Sequence, residues 1–242
     1  GSELHFIEGC SAPKYEKNNL HVGSVEIFVK KGAKMRFSTV ESWSKNVFNL
    51  NTKRALVEAG GEMEWVSGTF GSKVTMLYPT TILKGEGAKM EYLGMSLASG
   101  EQILDSGAKV ICLADNTSAM IRSKSVAKNG GVSMTKTLAK VGKGVKGVKA
   151  YIDCKSLILD SESRSYAEPM VDVNSGEAEV THEASVGKLS EEILYYLATR
   201  GIGEEKAKEI LIRGFSEEIT KALPLEYAME MNNLIKLEMQ NM

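Results

Sequence analysis

Three cysteines and three histidines are the residues of this 242-residue chain best suited to sulfur or soft-metal chemistry: Cys10, Cys112, Cys154, His5, His21 and His182. A thiolate is both a nucleophile and a preferred ligand of iron–sulfur clusters and zinc. The cysteines lie far apart, with no C-x-x-C pair, and His5 and His21 stand in loop-like sequence. Spacing alone therefore supports no structural zinc site. Taken singly, each cysteine reads as a small buried hydrophobe. The odd count argues against a disulfide scaffold and for a reducing, cytoplasmic setting. No G-x-S-x-G nucleophile elbow is present. Val141-Gly-Lys-Gly-Val-Lys-Gly147 is rich in glycine and lysine but does not fit the phosphate-loop pattern, so it reads as a turn.

Two kinds of sequence must position these residues. As far as about residue 186, apolar and polar residues alternate in short runs that follow a glycine, the period of a half-buried strand. The clearest runs begin at Gly32, Gly60, Gly87 and Gly107, with echoes at Gly130, Gly147 and Gly176. Their starts are 28, 27, 20, 23, 17 and 29 residues apart, an irregular repeat in the range of one solenoid coil. The expected fold is a β-helix; an antiparallel sandwich is the competitor. From Ser190 the pattern turns helical. Ser190 is a cap, Gly201 a stop, Glu204 to Arg213 a second helix closed by Gly214, and Pro224 the start of a third. The expected division is a β-helix over residues 1–187 and a helical domain over 188–242, the latter acidic.

Composition agrees with a folded globular chain: 43% hydrophobic and 25% charged, with 30 basic and 31 acidic residues and a net charge of −1. No basic arm is visible, which argues against a nucleic-acid partner. One motif points the other way. Gly201-Ile202-Gly203 before a helix is similar to a helix-hairpin-helix element, whose amides hold a phosphate. Glu204 and Glu205 occupy that first turn and would repel one. The alternative reading is a β-solenoid interaction protein whose tail binds nucleic acid. No apolar run approaches roughly 18 residues, so no helical membrane span is expected, and the first residues lack the pattern of a signal peptide.

Several stretches together resemble the SufB/SufD family, scaffold components of the SUF iron–sulfur cluster assembly system. They include Glu8-Gly-Cys-Ser-Ala-Pro13, Thr39-Val-Glu-Ser-Trp43, Thr52-Lys-Arg54, Ser123-Lys-Ser-Val-Ala127, His182-Glu-Ala184, Arg213-Gly-Phe215 and Leu223-Pro-Leu-Glu-Tyr-Ala228. The resemblance is collinear over the whole chain. It is closer to SufB than to SufD because Glu183 follows His182. It implies a short or N-terminally truncated member, since the family's N-terminal region is not among these residues.

The resemblance implies a right-handed parallel β-helix followed by C-terminal helices, and a non-catalytic scaffold. It implies a SufC-type ABC ATPase docked on the helical end, through Ile210, Leu211, Arg213 and Phe215. A second SufB or SufD-like subunit would make a dimer, and a sulfur donor would deliver persulfide. Cys154 matches the family's cluster-ligating cysteine, Glu183 its acidic partner and His182 a histidine that faces the cysteine across the subunit pair. Cys10 matches a sulfur-accepting cysteine. The cargo implied is an iron–sulfur cluster of the 4Fe–4S type, with a reduced flavin as a further cofactor. Cys112 has no such match and is expected in the core. Because Glu183 lies 29 residues after Cys154, close to one coil, the two are expected on one face of neighbouring coils.

Overall fold

The structure, a computed structural model, describes residues 1–12 and 16–240, and its elements are counted over those. It is mainly β, a parallel solenoid of about six turns followed by three helices. One sheet of seven strands has the spatial order β1 (Glu3–Ser11), β3 (Lys34–Trp43), β5 (Glu62–Gly71), β8 (Lys89–Ser99), β11 (Ser118–Lys128), β13 (Val148–Ile158), β15 (Ala178–Lys188). The facing sheet holds β2 (Asn19–Val29), β4 (Val47–Val57), β6 (Val74–Leu77), β7 (Thr80–Leu83), β9 (Ile103–Ser106), β10 (Lys109–Cys112), β12 (Val132–Val141) and β14 (Arg164–Val173). All pairings between described strands are parallel, which excludes the antiparallel sandwich.

The coil step is more even than the glycine spacing suggested. Partners in the seven-stranded sheet are 27 to 31 residues apart, as in Glu62↔Lys89 and Glu3↔Lys34. Gly107 and Gly130 head strands of the other sheet, so the short spacings counted half-coils. In the third coil the eight-stranded sheet breaks at Tyr78-Pro79, where proline cannot donate to the ladder. In the fourth it breaks at Gly107, where φ is +148° and a Cβ would lie 1.9 Å from the Lys136 carbonyl oxygen. His5 and His21 sit on β1 and β2 rather than in loops, each bonded to the next coil: His5 to Ser38 at 2.8 Å and His21 to Asn49 at 2.9 Å.

Strand alternation builds two cores on opposite sides of the seven-stranded sheet. Inward, Phe37, Trp65, Tyr92, Ile121 and Ile152 stack coil on coil with apolar residues of the facing sheet. Outward, Val66, Leu93, Met95 and Leu97 are covered by the last two of the three C-terminal helices. The three are α1 (Glu191–Thr199), α2 (Glu204–Ala222) and α3 (Leu225–Gln240). Ser190 caps α1 by accepting from the Ile193 amide at 3.3 Å, and Gly201 ends that region at φ +77°.

The second helix does not close at Gly214. Ser216, Ile219 and Thr220 beyond it are buried, and their packing outweighs a glycine cost of about 1 kcal/mol. Ile212, Ile219, Met231 and Ile235 form the docking face. Burying each such side chain stabilises by about 1.5–3 kcal/mol. Polar contacts fix the register. Glu218 takes Arg122 and Lys124, and the buried Lys128 donates to the Glu238 carbonyl near the end of α3. The helices and solenoid thus share a core. No helix among the described residues is long and apolar enough to cross a membrane.

Candidate functional site

The interior of the solenoid is apolar along one side and polar along the other. One file of inward side chains runs from Cys10 through Glu41, Thr69, Ser96 and Ser125 to Ser156. The next runs from Glu8 through Thr39, Ser67, Gly94 and Ser123 to Cys154. The hydroxyls are buried, and Ser125 and Ser156 bond each other at 2.8 Å. Two thiols therefore stand in the first and sixth coils of one hydroxyl-lined interior.

Cys154 is 1% exposed. Burial pushes its thiol up to about 11, against a smaller opposing pull from the Thr137 hydroxyl across the interior. Its ladder partner on β15 is Ala184, not Glu183. Glu183 pairs with Asp153 on the outer face, one step along the sheet from Tyr151, whose phenol burial and these carboxylates push up. This corrects the expectation that Cys154 and Glu183 share a face. The coil step here is 30 residues and their separation is 29, so they differ in parity and point opposite ways. His182 pairs with Ile152 and so shares the inward face of Cys154, one diagonal step away. Strand spacing puts that step at roughly 8 Å. Both His182 and Glu183 are exposed on the last strand, at the open end of the stack. Among the described residues no three His, Cys, Asp or Glu side chains converge as a metal site.

Cys10 is half-buried beside a charged network. Burial first, then the Glu8 and Glu41 carboxylates, push its thiol up to about 11, while Lys53 pulls it down. Lys53, 4% exposed, holds Glu8 at 2.9 Å and donates to Thr39 at 3.1 Å, with Glu41 at 3.8 Å and the Phe37 ring 4.8 Å away. The Asn49 amide and Trp43 indole both donate to Glu41 Oε2, at 2.6 and 3.4 Å. Glu41 Oε1 is buried without a hydrogen-bond partner. Midway between the thiols, the Tyr92 ring folds over Gly94: a Cβ there would lie 2.1 Å from the phenol oxygen. Burial holds that phenol protonated well above its ordinary range.

Glu8, Lys53 and Tyr92 escaped the sequence reading. A signal was present: Glu8 is two residues before Cys10, hence on the same face, and Lys53 sits inside the Thr52-Lys-Arg54 stretch. Cys112 is 1% exposed between Leu83 and Val141 and packs as core. Of the four expected docking residues, Ile210 is 40% exposed and Leu211 is half-buried. Arg213 is held by Glu209 at 3.0 Å, and Phe215 packs on the solenoid under Lys124. Glu204 and Glu205 fill the first turn of α2, and nothing here supports a phosphate site.

Fold and interior together define a β-solenoid with three inward thiols, two of them on the hydroxyl-bearing files, and a helical flank. The family profile described as "SUF system FeS cluster assembly, SufBD core domain" matches residues 1–215. An iron–sulfur cluster assembly SufBD family protein of Staphylococcus aureus (strain MRSA252) is 49% identical over 240 residues, 99% of this chain and 52% of its own length. Proteins of the same description from Staphylococcus aureus (strain USA300) and Staphylococcus epidermidis are each 48% identical over the same shares. The chain belongs to the SufBD family, and it spans about half the length of the curated relatives it matches.

Proposed function

We propose that this chain is the core of an iron–sulfur cluster assembly scaffold, in which Cys10 accepts sulfur as persulfide and Cys154 receives it through the interior. The observation that carries this reading is the pair of thiols at opposite ends of two adjacent inward files that carry buried hydroxyls from coil to coil. Thiol-to-persulfide exchange hands sulfane sulfur from one thiol to the next without net redox change; five coil steps separate the two cysteines, so a small carrier thiol, persulfidated at Cys10 and discharged at Cys154, has to bridge them. The cargo is an iron–sulfur cluster of the 4Fe–4S type, held by Cys154 with His182 and Glu183 where the open end of the solenoid meets a second SufB or SufD-like subunit. A raised thiol must lose its proton to bind iron, so cluster loading is proton-coupled. Because His182 shares the face of Cys154, it is the nearer partner within one chain, and Glu183 serves the outer side of the junction. Residues 188–242 dock a SufC-type ABC ATPase, and a reduced flavin supplies electrons. The chain itself is a scaffold rather than a catalyst, working in the cytoplasm.

Anaerobic reconstitution with ferrous iron and sulfide tests the reading. A brown species with sulfur-to-iron charge-transfer absorption is expected, absent in Cys154→Ala and kept in Cys112→Ala. Equal absorption in Cys154→Ala refutes it.

A further inference from the structure

We propose that Arg122 exchanges partners between Glu218 on α2 and Asp153 on β13, and that this exchange couples the seating of α2 to the carboxylates at the open end of the solenoid. The inference rests on Glu183 as a cargo-side residue and on the helices as the docking end, and adds the side chain that links them.

On the outer face of the seven-stranded sheet, Arg122, Asp153 and Glu183 are successive ladder partners on β11, β13 and β15. Arg122 donates to Glu218 and lies 3.7 Å from Glu91 on the preceding coil. Glu218 also takes Lys124 at 3.3 Å, whose ammonium stands over the Phe215 ring. Asp153, one coil on, is 8% exposed. Lys155 donates to its Oδ2 at 2.8 Å, while its Oδ1 is buried without a hydrogen-bond partner. The next ladder neighbour of Asp153 is a second carboxylate, Glu183, and like charges directly opposite one another destabilise a sheet.

The cations are therefore unevenly shared. Lys155 alone serves the Asp153–Glu183 pair, whereas Arg122 and Lys124 both lean on Glu218. Arg122 stands one strand from the unpartnered oxygen, about 4.8 Å across the sheet, and its forked guanidinium has donors to spare. Its present pair with Glu218 is 31% and 37% exposed, so solvent weakens that hold. A buried carboxylate oxygen without a donor is costly, so Asp153 offers the guanidinium a second seat of comparable worth. With α2 seated, Glu218 keeps Arg122, and the Asp153–Glu183 pair keeps its negative charge for an iron ion. With α2 drawn off the wall, Arg122 turns to Asp153 and sets a positive charge beside Glu183, which weakens the hold on iron and favours release of the cargo. Linkage makes the effect reciprocal: iron at the open end favours Arg122 on Glu218, and so a seated α2.

The test uses the full chain. Urea unfolding gives the coupling between Arg122→Gln and Asp153→Asn, first with Glu218 in place and then in Glu218→Gln, which frees the guanidinium. Removing Glu218 should strengthen that coupling about fivefold or more in the folding equilibrium constant. Equal coupling in the two backgrounds overturns the proposal. Anaerobic titration with ferrous ion alone reads the consequence. Glu218→Gln should weaken binding about fivefold or more, and adding Arg122→Gln should restore it. If binding weakens in Glu218→Gln and the second substitution does not restore it, the loss comes from the helix and not from Arg122, and the proposal fails. Glu183→Ala separates the two levels. If it leaves ferrous affinity unchanged, Glu183 is not a cargo ligand, and the unfolding cycle still decides the exchange. If it weakens binding while Glu218→Gln does not, only the coupling fails.

Discussion

Replacing Gly94 by alanine probes the middle of the interior. The new Cβ would fall 2.1 Å from the Tyr92 hydroxyl oxygen and 2.4 Å from Cζ of that ring, distances no packed atoms sustain. Tyr92 cannot simply swing aside, because it is buried in the stack between Trp65 and Ile121. Overpacking of this kind costs about 1–3 kcal/mol. For a chain of this size that lowers the unfolding temperature by roughly 2–4 °C per kcal/mol. Thermal unfolding followed by circular dichroism should therefore show a clear drop. Shortening the neighbour tests the cause. Tyr92→Leu alone opens a cavity and destabilises, but paired with Gly94→Ala its cost should be partly relieved, giving a coupling of about 1 kcal/mol or more. An unchanged midpoint in Gly94→Ala, or strict additivity in the double variant, would refute the claim that the ring lies over the glycine.

The remaining expectations concern the thiols, the helices and the open end. Cys10 and Cys154 are held at about 11 against an ordinary 9.0, so between those values the fold keeps protons that the unfolded chain has lost. Stability should then fall as pH rises from about 9 to about 11, and less steeply in Cys154→Ala. Urea midpoints across that range check it. Met231→Ala, which empties a fully buried position under α3, should cost about 2–5 kcal/mol. Deleting residues 190–242 should abolish co-purification with a SufC-type ATPase. It should also uncover Val66, Leu93, Met95 and Leu97, read as binding of an apolar dye by the truncated chain. In anaerobic reconstitution His182→Ala should lose at least as much cluster as Glu183→Ala; the reverse order would place the cargo on the outer face.

Much of the fold was legible because strands announce themselves by alternation and coils by turn glycines: Gly32, Gly60 and Gly87 all have positive φ just before a strand. The same signal marks both sheets, however, which is why Gly107 and Gly130 were counted as coil starts. Helix ends marked by Ser190 and Gly201 were readable, whereas Gly214 was not, because tertiary burial of Ile219 decides its fate. The site was legible as residue types and not as directions. Which way a strand residue points depends on parity, and parity depends on the length of each connecting turn. One residue in the turn between β14 and β15 separates a shared face for Cys154 and Glu183 from the opposed faces observed.

The covering of the seven-stranded sheet by the last two helices has a consequence for synthesis. Each coil contacts its neighbours, so a nascent chain emerging from the ribosome can stack coil upon coil as it lengthens. The residues that shield the outer wall, Ile212 to Met239, follow the solenoid in the chain and emerge after it. Until then Val66, Leu93, Met95 and Leu97 face solvent on a nearly finished solenoid. The growing chain therefore passes through a long interval in which it is ordered yet adhesive, and a chaperone that binds apolar strands has its natural window there. Closure by α2 and α3 marks release, so a slow codon stretch after residue 190 would prolong that exposure more than one placed anywhere earlier.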